Sequence, residues 1–197
     1  AGLDTLCDAQ VWRPLRLKDT FFLNGIEPEA AAWNRRGRAF VATERCNHRS
    51  EINCGAVNDD NAYAMGGVAA HAGLFSSAHD VAACGRLWLD ALHGLSKVLL
   101  QSVAERFAAA DRTPGSTRAL GWDRKSETGS SLGTRLGRGP RGALGHLGWT
   151  GTSLWIDIDA DLTCVLLTNR VHPDRDNEAI KVFRPRFHDA VAAALGI

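Results

Sequence analysis

The chain has 197 residues, of which 23 are Lys or Arg and 22 are Asp or Glu, so its formal net charge is +1. An apolar share of 45% and a charged share of 23% are typical of a globular protein with a core of its own. The charges are interspersed and form no basic stripe, and no apolar run approaches the roughly 20 residues of a membrane-spanning helix. We therefore expect neither a nucleic-acid partner nor a membrane-spanning segment.

The opening residues, AGLDTLCDAQVWRPL, have the pattern of a helix entered part-way. They contain neither an initiating Met nor the features of a signal peptide. We expect from this that the sequence is a fragment that lacks its start.

The five cysteines form no C-x-x-C pair, and no two histidines stand at the spacing of metal ligands. The sequence therefore predicts no metal site and no cofactor. Cys84 and Cys164 lie in apolar runs, which is typical of small core residues. Cys46 and Cys54 share a polar loop and would pair only in an oxidising compartment.

The segment YAMGGVAAHAGLFSSAHD, residues 63–80, combines tight glycine turns with a helix start. Ser77 followed by Asp80 has the spacing of a helix-capping box, and Ser102 followed by Glu105 repeats it. Both pairs predict the beginning of a helix.

The segment GHLGWTGTSLWIDIDADLTCVLLTN, residues 145–169, predicts a β-hairpin, because polar and apolar residues alternate and an aspartate-rich turn follows. Residues 162–168 are apolar on both faces, which favours a central strand. Asp174 or Asp176 is expected to start a last helix. Its sheet-facing residues would be Phe183, Phe187, Val191 and Leu195, with Arg184 and Arg186 on a solvated face. The predicted fold class is α+β: an antiparallel sheet packed by a C-terminal helix, with a helical, loop-rich region before it.

Nucleophile motifs are scarce. A G-x-S-x-G occurs at residues 129–133, but the loop-like sequence on both sides does not match the strand–turn–helix of a nucleophile elbow and favours a flexible loop. No S-x-x-K occurs, the spacing that lets a lysine take a proton from a serine on the same helix face. The single tyrosine, Tyr63, is not part of a Y-x-N.

His146 stands at the start of the hairpin, between Gly145 and Gly148. A single histidine near a strand is more often structural than catalytic. The two glycines, however, would leave the strand edge open to a ligand backbone. The N–H of Trp149 could then point at a carbonyl oxygen, as an oxyanion hole requires. Packing and chemistry both remain open for this histidine.

The stretch GHLGWTGTSLWIDIDADLTCVLLTNRVHP resembles the third active-site motif and following hairpin of the serine β-lactamase-like family. That family holds class C β-lactamases, D-alanyl-D-alanine carboxypeptidases and related esterases. Four further segments are similar to it: VWRPLRLKDTFF, NAYAMGGVAAHAGLFSSAHDVA, STRALGWD and RVHPDRDN. The resemblance implies a β-lactamase/transpeptidase-like fold, in which residues 1–197 are the C-terminal part of a single, incomplete domain.

The resemblance also implies roles for individual residues. His146-Leu147-Gly148 matches the family's K-T-G or H-x-G triplet, which contacts the carboxylate or carbonyl side of the substrate. Trp149 matches the residue that donates the second oxyanion-hole N–H. His71, in the glycine loop, and Asn61, at the cleft rim, are candidate substrate-binding residues, although His71 alternatively belongs to a capped turn near a helix start. A histidine is only partly charged near neutrality, which favours an esterase or D,D-peptidase over an efficient β-lactamase.

The implied activity is cleavage of an ester or amide, in a small-molecule or peptidoglycan-type substrate, through an acyl-enzyme. The family's nucleophilic serine, lysine and tyrosine are absent from this sequence, and loss of the nucleophile typically costs about a millionfold in rate. The chain alone is therefore expected to be inactive. The alternative is a non-catalytic binding or regulatory relative that kept the cleft strand. The resemblance suggests a periplasmic or secreted location; substrate and oligomeric state stay open.

Overall fold

The computed structural model describes residues 1–23, 39–45 and 52–197. Within them the helices are α1 (Leu3–Cys7), α2 (Arg13–Leu15), α3 (Asp60–Ala64), α4 (Ala78–Leu92), α5 (Gln101–Ala108) and α6 (Ile180–Leu195), and a π-helical turn, Asp8–Trp12, joins α1 to α2. The strands are β1 (Phe21–Phe22), β2 (Leu74–Phe75), β3 (Asp123–Arg124), β4 (Ala143–Leu147), β5 (Ser153–Asp157) and β6 (Leu162–Leu166). The predicted α+β class is confirmed.

The described residues form two compact units. The first unit comprises Ala1–Asp80, Trp149–Gly151 and Thr168–Asn177. The second comprises Val81–Gly148, Thr152–Leu167 and Glu178–Ile197.

In the first unit, β1 pairs antiparallel with β2. The buried carboxylate of Asp80 accepts hydrogen bonds from the backbone N–H of Asp19, at 2.7 Å, and from the hydroxyl of Thr20, at 2.9 Å. The backbone N–H of Asp80 donates to the Ser77 hydroxyl oxygen, at 3.3 Å, so the predicted helix start at Ser77 is confirmed. Ser102, in contrast, lies inside α5 and does not cap it, because the residue before that helix is Leu100.

A buried ion pair joins two further segments of the first unit. The carboxylate of Glu44 is 2% exposed and receives two hydrogen bonds from the Arg175 guanidinium, one of them from Nη2 at 2.7 Å. The side-chain amide of Asn58 donates to the same carboxylate at 3.0 Å. Burial of the Glu44 carboxylate without these partners would lower the stability of the fold by several kcal/mol. The contacts among Glu44, Arg175 and Asn58 therefore hold the segment around Arg175 in place.

The second unit is built on an antiparallel sheet of order β3-β4-β5-β6. One face, with Leu144 and Ile156, packs against α4 and α5. The opposite face, with Ala143 and Trp155, packs against Ala192 of α6. The predicted C-terminal helix on one face is therefore confirmed, and the structure adds two helices on the other.

Strand β6 does not have the central position that its apolar sequence favours. Among the described strands it pairs only with β5. Its two faces are covered by helices instead. A Cβ at Gly85 of α4 would lie 2.3 Å from the Thr163 methyl group, and Leu162 packs in the α6-facing core. An edge strand covered in this way has the same double-sided apolar pattern as a central one.

Helix α6 differs from the prediction in its start and in its buried face. It begins at Ile180, and Asp174 instead accepts the backbone N–H of Asp176 within a turn. The predicted sheet-facing set is wrong for Phe183 and Leu195, which are 49% and 56% exposed, whereas Phe187 and Val191 are half-buried. The buried residues are Ile180, Arg184, His188 and Ala192.

The polar members of that buried face each donate to backbone carbonyls. Nη2 of Arg184 contacts the carbonyl oxygens of Gly148 and Thr152, and Nδ1 of His188 lies 2.9 Å from the carbonyl oxygen of Ser131. These hydrogen bonds offset part of the cost of burying the two polar side chains, and the buried face of α6 lies one residue away from the predicted one. Arg184 was predicted to be solvated and is 8% exposed.

We expect His188 to make the fold sensitive to acid. Burial lowers the pKa of its imidazole, so below the ordinary value of about 6.5 the unfolded chain binds a proton that the folded chain resists. Stability is thus complete above pH 6.5 and falls as the pH decreases. Urea unfolding at pH 7.5 and 5.5 should show this fall, and H188Q should reduce it. An equal fall in H188Q would contradict the assignment; H79Q, at an exposed histidine, is the control.

Candidate active-site strand

The two glycines that flank His146 are required by the packing of the hairpin. Gly145 lies opposite Trp155, and a Cβ at Gly145 would come within 2.2 Å of the indole ring. A Cβ at Gly148 would come within 2.1 Å of the Thr152 hydroxyl oxygen. Close packing by cross-strand neighbours therefore explains both residues, which the sequence pattern alone did not reveal.

The free edge of β4 is shorter than the glycine pattern suggested. Strand β3 covers that edge at two positions, with Asp123 opposite Gly145 and Arg124 opposite Leu144. Beyond them, His146 and Leu147 pair only with β5 among the described strands. Among the described strands, the edge of β4 is therefore unpaired at the end that carries the histidine.

His146 is exposed, at the end of the strand. Its Nδ1 lies 3.0 Å from the carbonyl oxygen of Leu147. A carbonyl oxygen only accepts, so Nδ1 carries the proton in this contact, and in the neutral ring Nε2 is left as an acceptor. The side chain is thus accessible and oriented by its own strand, and it is not part of the core.

The turn after β4 is closed by hydrogen bonds within the second unit. The N–H of Gly148 donates to the carbonyl oxygen of Thr152 at 2.8 Å. The Arg184 guanidinium donates to the Gly148 carbonyl oxygen at 2.9 Å and to that of Thr152 at 2.8 Å. Both carbonyl groups are therefore directed at α6.

Trp149 belongs to the first unit, and its side chain is 63% exposed. Arg170 lies over the indole, with Cζ 4.2 Å from the ring centroid, and its Nε donates to the Trp149 carbonyl oxygen at 2.8 Å. The hydroxyl of Thr168 donates to the carbonyl oxygen of Gly151 at 2.7 Å. Within the described part of the chain, the N–H of Trp149 has no hydrogen-bond acceptor.

The candidate substrate-binding residue His71 contacts the carboxylate of Asp59 with its side chain, whereas Asn61 contributes only its backbone amide there. Asp59 caps α3 by accepting the Ala62 N–H at 2.8 Å, and Nε2 of His71 lies 3.0 Å from the same oxygen. The Ala62 amide first, and then His71, lower the pKa of Asp59, and the Asn61 amide adds to this. Asn61 and His71 are exposed. Sequence reasoning missed Asp59, whose signal is an N-cap residue before a short helix.

The candidate residues are divided between the two units: His146 and Gly148 lie in the second, and Trp149, His71 and Asn61 lie in the first. In the described ranges, no three side chains among His, Cys, Asp and Glu are grouped to hold a metal ion. None of the described helices combines the length and apolarity needed to cross a membrane. Cys46 lies outside the described residues, whereas Cys54 and Cys164 are buried.

The antiparallel sheet and the helices on its two faces agree with the expected β-lactamase/transpeptidase-like fold. The Beta-lactamase family model matches residues 1–184. The chain belongs to the β-lactamase family.

Two curated relatives share about a third of the aligned residues. An N-acetylmuramyl-L-alanine amidase of Bacillus subtilis (strain 168) is 35% identical over 188 residues, a match that covers 86% of this chain and 40% of the relative. A protein of Salmonella agona (strain SL483), provisionally named as a D-alanyl-D-alanine carboxypeptidase, is 33% identical over 178 residues, with the same coverage of 86% and 40%. The chain thus spans well under half the length of these relatives.

A solved structure supports the fold. Unliganded simvastatin synthase (LovD) from Aspergillus terreus superposes with a TM-score of 0.63 at 16% identity, over 98% of this chain and 50% of that chain. At this identity the likeness concerns the fold alone.

We expect G145A to destabilise the hairpin through the Trp155 ring. The added methyl group overlaps the indole, and overpacking of this kind typically costs about 1–3 kcal/mol. Urea unfolding measures the loss, and W155L in the same chain should make the G145A loss smaller than in the wild type. Equal losses in the two backgrounds would contradict a clash between these residues.

Proposed function

We propose that this chain supplies the substrate-side strand and one oxyanion-hole donor of a serine hydrolase that cleaves an ester or amide through an acyl-enzyme. The observation that carries the proposal is the N–H of Trp149, which has no acceptor among the described residues and directly follows the open end of β4. Family membership supports the same class of reaction.

In the proposed reaction, a serine outside these 197 residues attacks the substrate carbonyl, and a C–O bond forms while its proton passes to a base that is also outside them. The N–H of Trp149 donates to the oxygen that becomes negative in the tetrahedral intermediate. The bond to the leaving group then breaks, the leaving group takes the proton, and water hydrolyses the acyl-enzyme.

Within this proposal, His146 contacts the carboxylate or carbonyl side of the substrate. Its accessible Nε2 accepts a hydrogen bond when the ring is neutral and donates one when the ring is protonated. His71, whose side chain contacts Asp59, and Asn61 are exposed and are the proposed substrate-binding residues of the first unit. Gly148 lets the hairpin close against Thr152.

A peptidoglycan-type amide is the proposed substrate class. The names of the two relatives, an amidase of N-acetylmuramyl-L-alanine and a D-alanyl-D-alanine carboxypeptidase, support this choice. The histidine in place of a lysine supports a peptidase or esterase more than an efficient β-lactamase, because it is a weaker anchor for a carboxylate.

The test is covalent labelling of the protein encoded by the whole reading frame that contains this sequence. A fluorophosphonate and a fluorescent penicillin are the probes, and peptide mapping identifies the labelled residue. We expect a serine to be labelled stoichiometrically, and W149P, which removes the backbone N–H, to lower the labelling rate about 100-fold or more. The control W149F keeps the N–H and should label at close to the wild-type rate.

A folded protein that neither probe labels would contradict the proposal. That outcome would favour the non-catalytic binding relative instead. Cooperative thermal unfolding of each variant establishes that it is folded before its labelling is interpreted.

A further inference from the structure

Arg184 is an unusual residue for the buried face of a helix. Arg184 is only 8% exposed, and an arginine is almost never fully buried without polar partners. One nitrogen, Nη2, donates to two backbone carbonyls that lie four residues apart, at the two ends of the turn from Gly148 to Thr152. Arg184 therefore contacts the backbone of the candidate site from the buried face of α6.

The carbonyl of Gly148 and the N–H of Trp149 belong to the same peptide group. In a planar trans peptide these two bonds point in opposite directions. Because Arg184 holds the Gly148 carbonyl, at 2.9 Å, the N–H of Trp149 must point away from α6. The hydrogen bond from Arg184 to the Gly148 carbonyl oxygen thus sets the direction of the Trp149 N–H in the same peptide group.

The same contact strengthens that donor. A hydrogen bond from a cationic guanidinium is stronger than a neutral one, and hydrogen bonds in a chain polarise each other. A cation at the carbonyl oxygen draws electron density from the peptide nitrogen and makes its N–H a better donor. The charge also lies behind the position where a negative oxygen would form.

Residues of the first unit hold two of the peptide groups that follow the Trp149 N–H. Arg170 donates to the Trp149 carbonyl oxygen at 2.8 Å, and Thr168 donates to that of Gly151 at 2.7 Å. Within the second unit, the Gly148 N–H donates to the Thr152 carbonyl oxygen, so each unit orders its own peptide groups next to the Trp149 N–H. Preorganised donors of this kind need no reorganisation when charge develops.

We infer that Arg184 is a positioning residue for the oxyanion hole, acting through the Gly148–Trp149 peptide without touching the substrate. The inference rests on the proposed function, because it needs an oxygen at the Trp149 N–H. It also explains why the buried face of α6 includes Arg184 in place of an apolar side chain.

The test uses the protein from the whole reading frame and a fluorophosphonate probe. In R184Q we expect the maximal rate of phosphonylation to fall about 100-fold, while the probe concentration at half-maximal rate changes less than about threefold. R184K keeps the charge but lacks the planar guanidinium, so its rate should lie between those of R184Q and the wild type. The matched control, R186Q, changes an exposed arginine of the same helix and should leave both constants unchanged.

A purely structural role would change different quantities. If Arg184 had only a structural role, R184Q would have a lower melting temperature or bind the probe more weakly. Its folded fraction would still react at the wild-type maximal rate, and that result would overturn the inference. Phenylboronic acid, which forms a tetrahedral adduct with a nucleophilic serine, should lose affinity in parallel with the rate.

Hydrogen exchange separates this inference from the proposed function. By NMR, the Gly148 amide, which donates to Thr152, should exchange faster in R184Q than in R186Q. An unlabelled wild type would contradict the proposed function and, with it, the catalytic role of Arg184. A labelled wild type with unchanged Gly148 exchange and an unchanged rate in R184Q would overturn the inference alone.

Discussion

The hydrogen bonds from the Arg184 guanidinium to the carbonyl oxygens of Gly148 and Thr152 connect helix α6 to the turn between β4 and β5. These hydrogen bonds fix the rotation of α6 about its own axis. The residues one and two helical turns after Arg184, which are His188 and Ala192, must then lie on the same buried face. His188 meets the Ser131 carbonyl, and Ala192 provides the small side chain that fits beside Trp155. The bulkier Phe183 is consequently directed outward.

The sheet itself was predictable because it follows from a local pattern. The alternation in residues 153–157 and the aspartate-rich turn are sufficient to predict antiparallel neighbours, and the structure pairs them in that way. The face of α6 was not predictable by the same means. Apolar periodicity ranks Phe183 above Arg184, and only the positions of two distant carbonyl groups reverse that order.

Most residues of the candidate site could be predicted from the sequence, but the contacts that require them could not. His146 and Gly148 stand out in sequence, yet Gly145 is explained by the indole of Trp155, a neighbour that depends on strand register. Asp59 was missed because two further polar residues, Asp60 and Asn61, follow it directly. The local sequence does not identify which of the three residues caps α3. The role of Arg184 requires the three-dimensional contact.

Two kinds of support meet at the proposed site. Membership of the β-lactamase family supports the proposed class of reaction, and the geometry supplies the proposed donor, the N–H of Trp149, which a cation directs from the other end of its peptide group. His146 remains an accessible polar side chain beside that donor in sequence. Under the proposed function, the charge on Arg184 and the unpaired end of β4 would both serve acyl transfer.

The most direct measurement is a crystal structure of the whole-reading-frame protein after reaction with a phosphonate. We expect a phosphonyl oxygen at about 2.7–3.1 Å from the Trp149 nitrogen, with the Gly148 carbonyl still bonded to Arg184. A phosphonyl oxygen directed elsewhere, or a Gly148 carbonyl turned toward the adduct, would contradict this expectation.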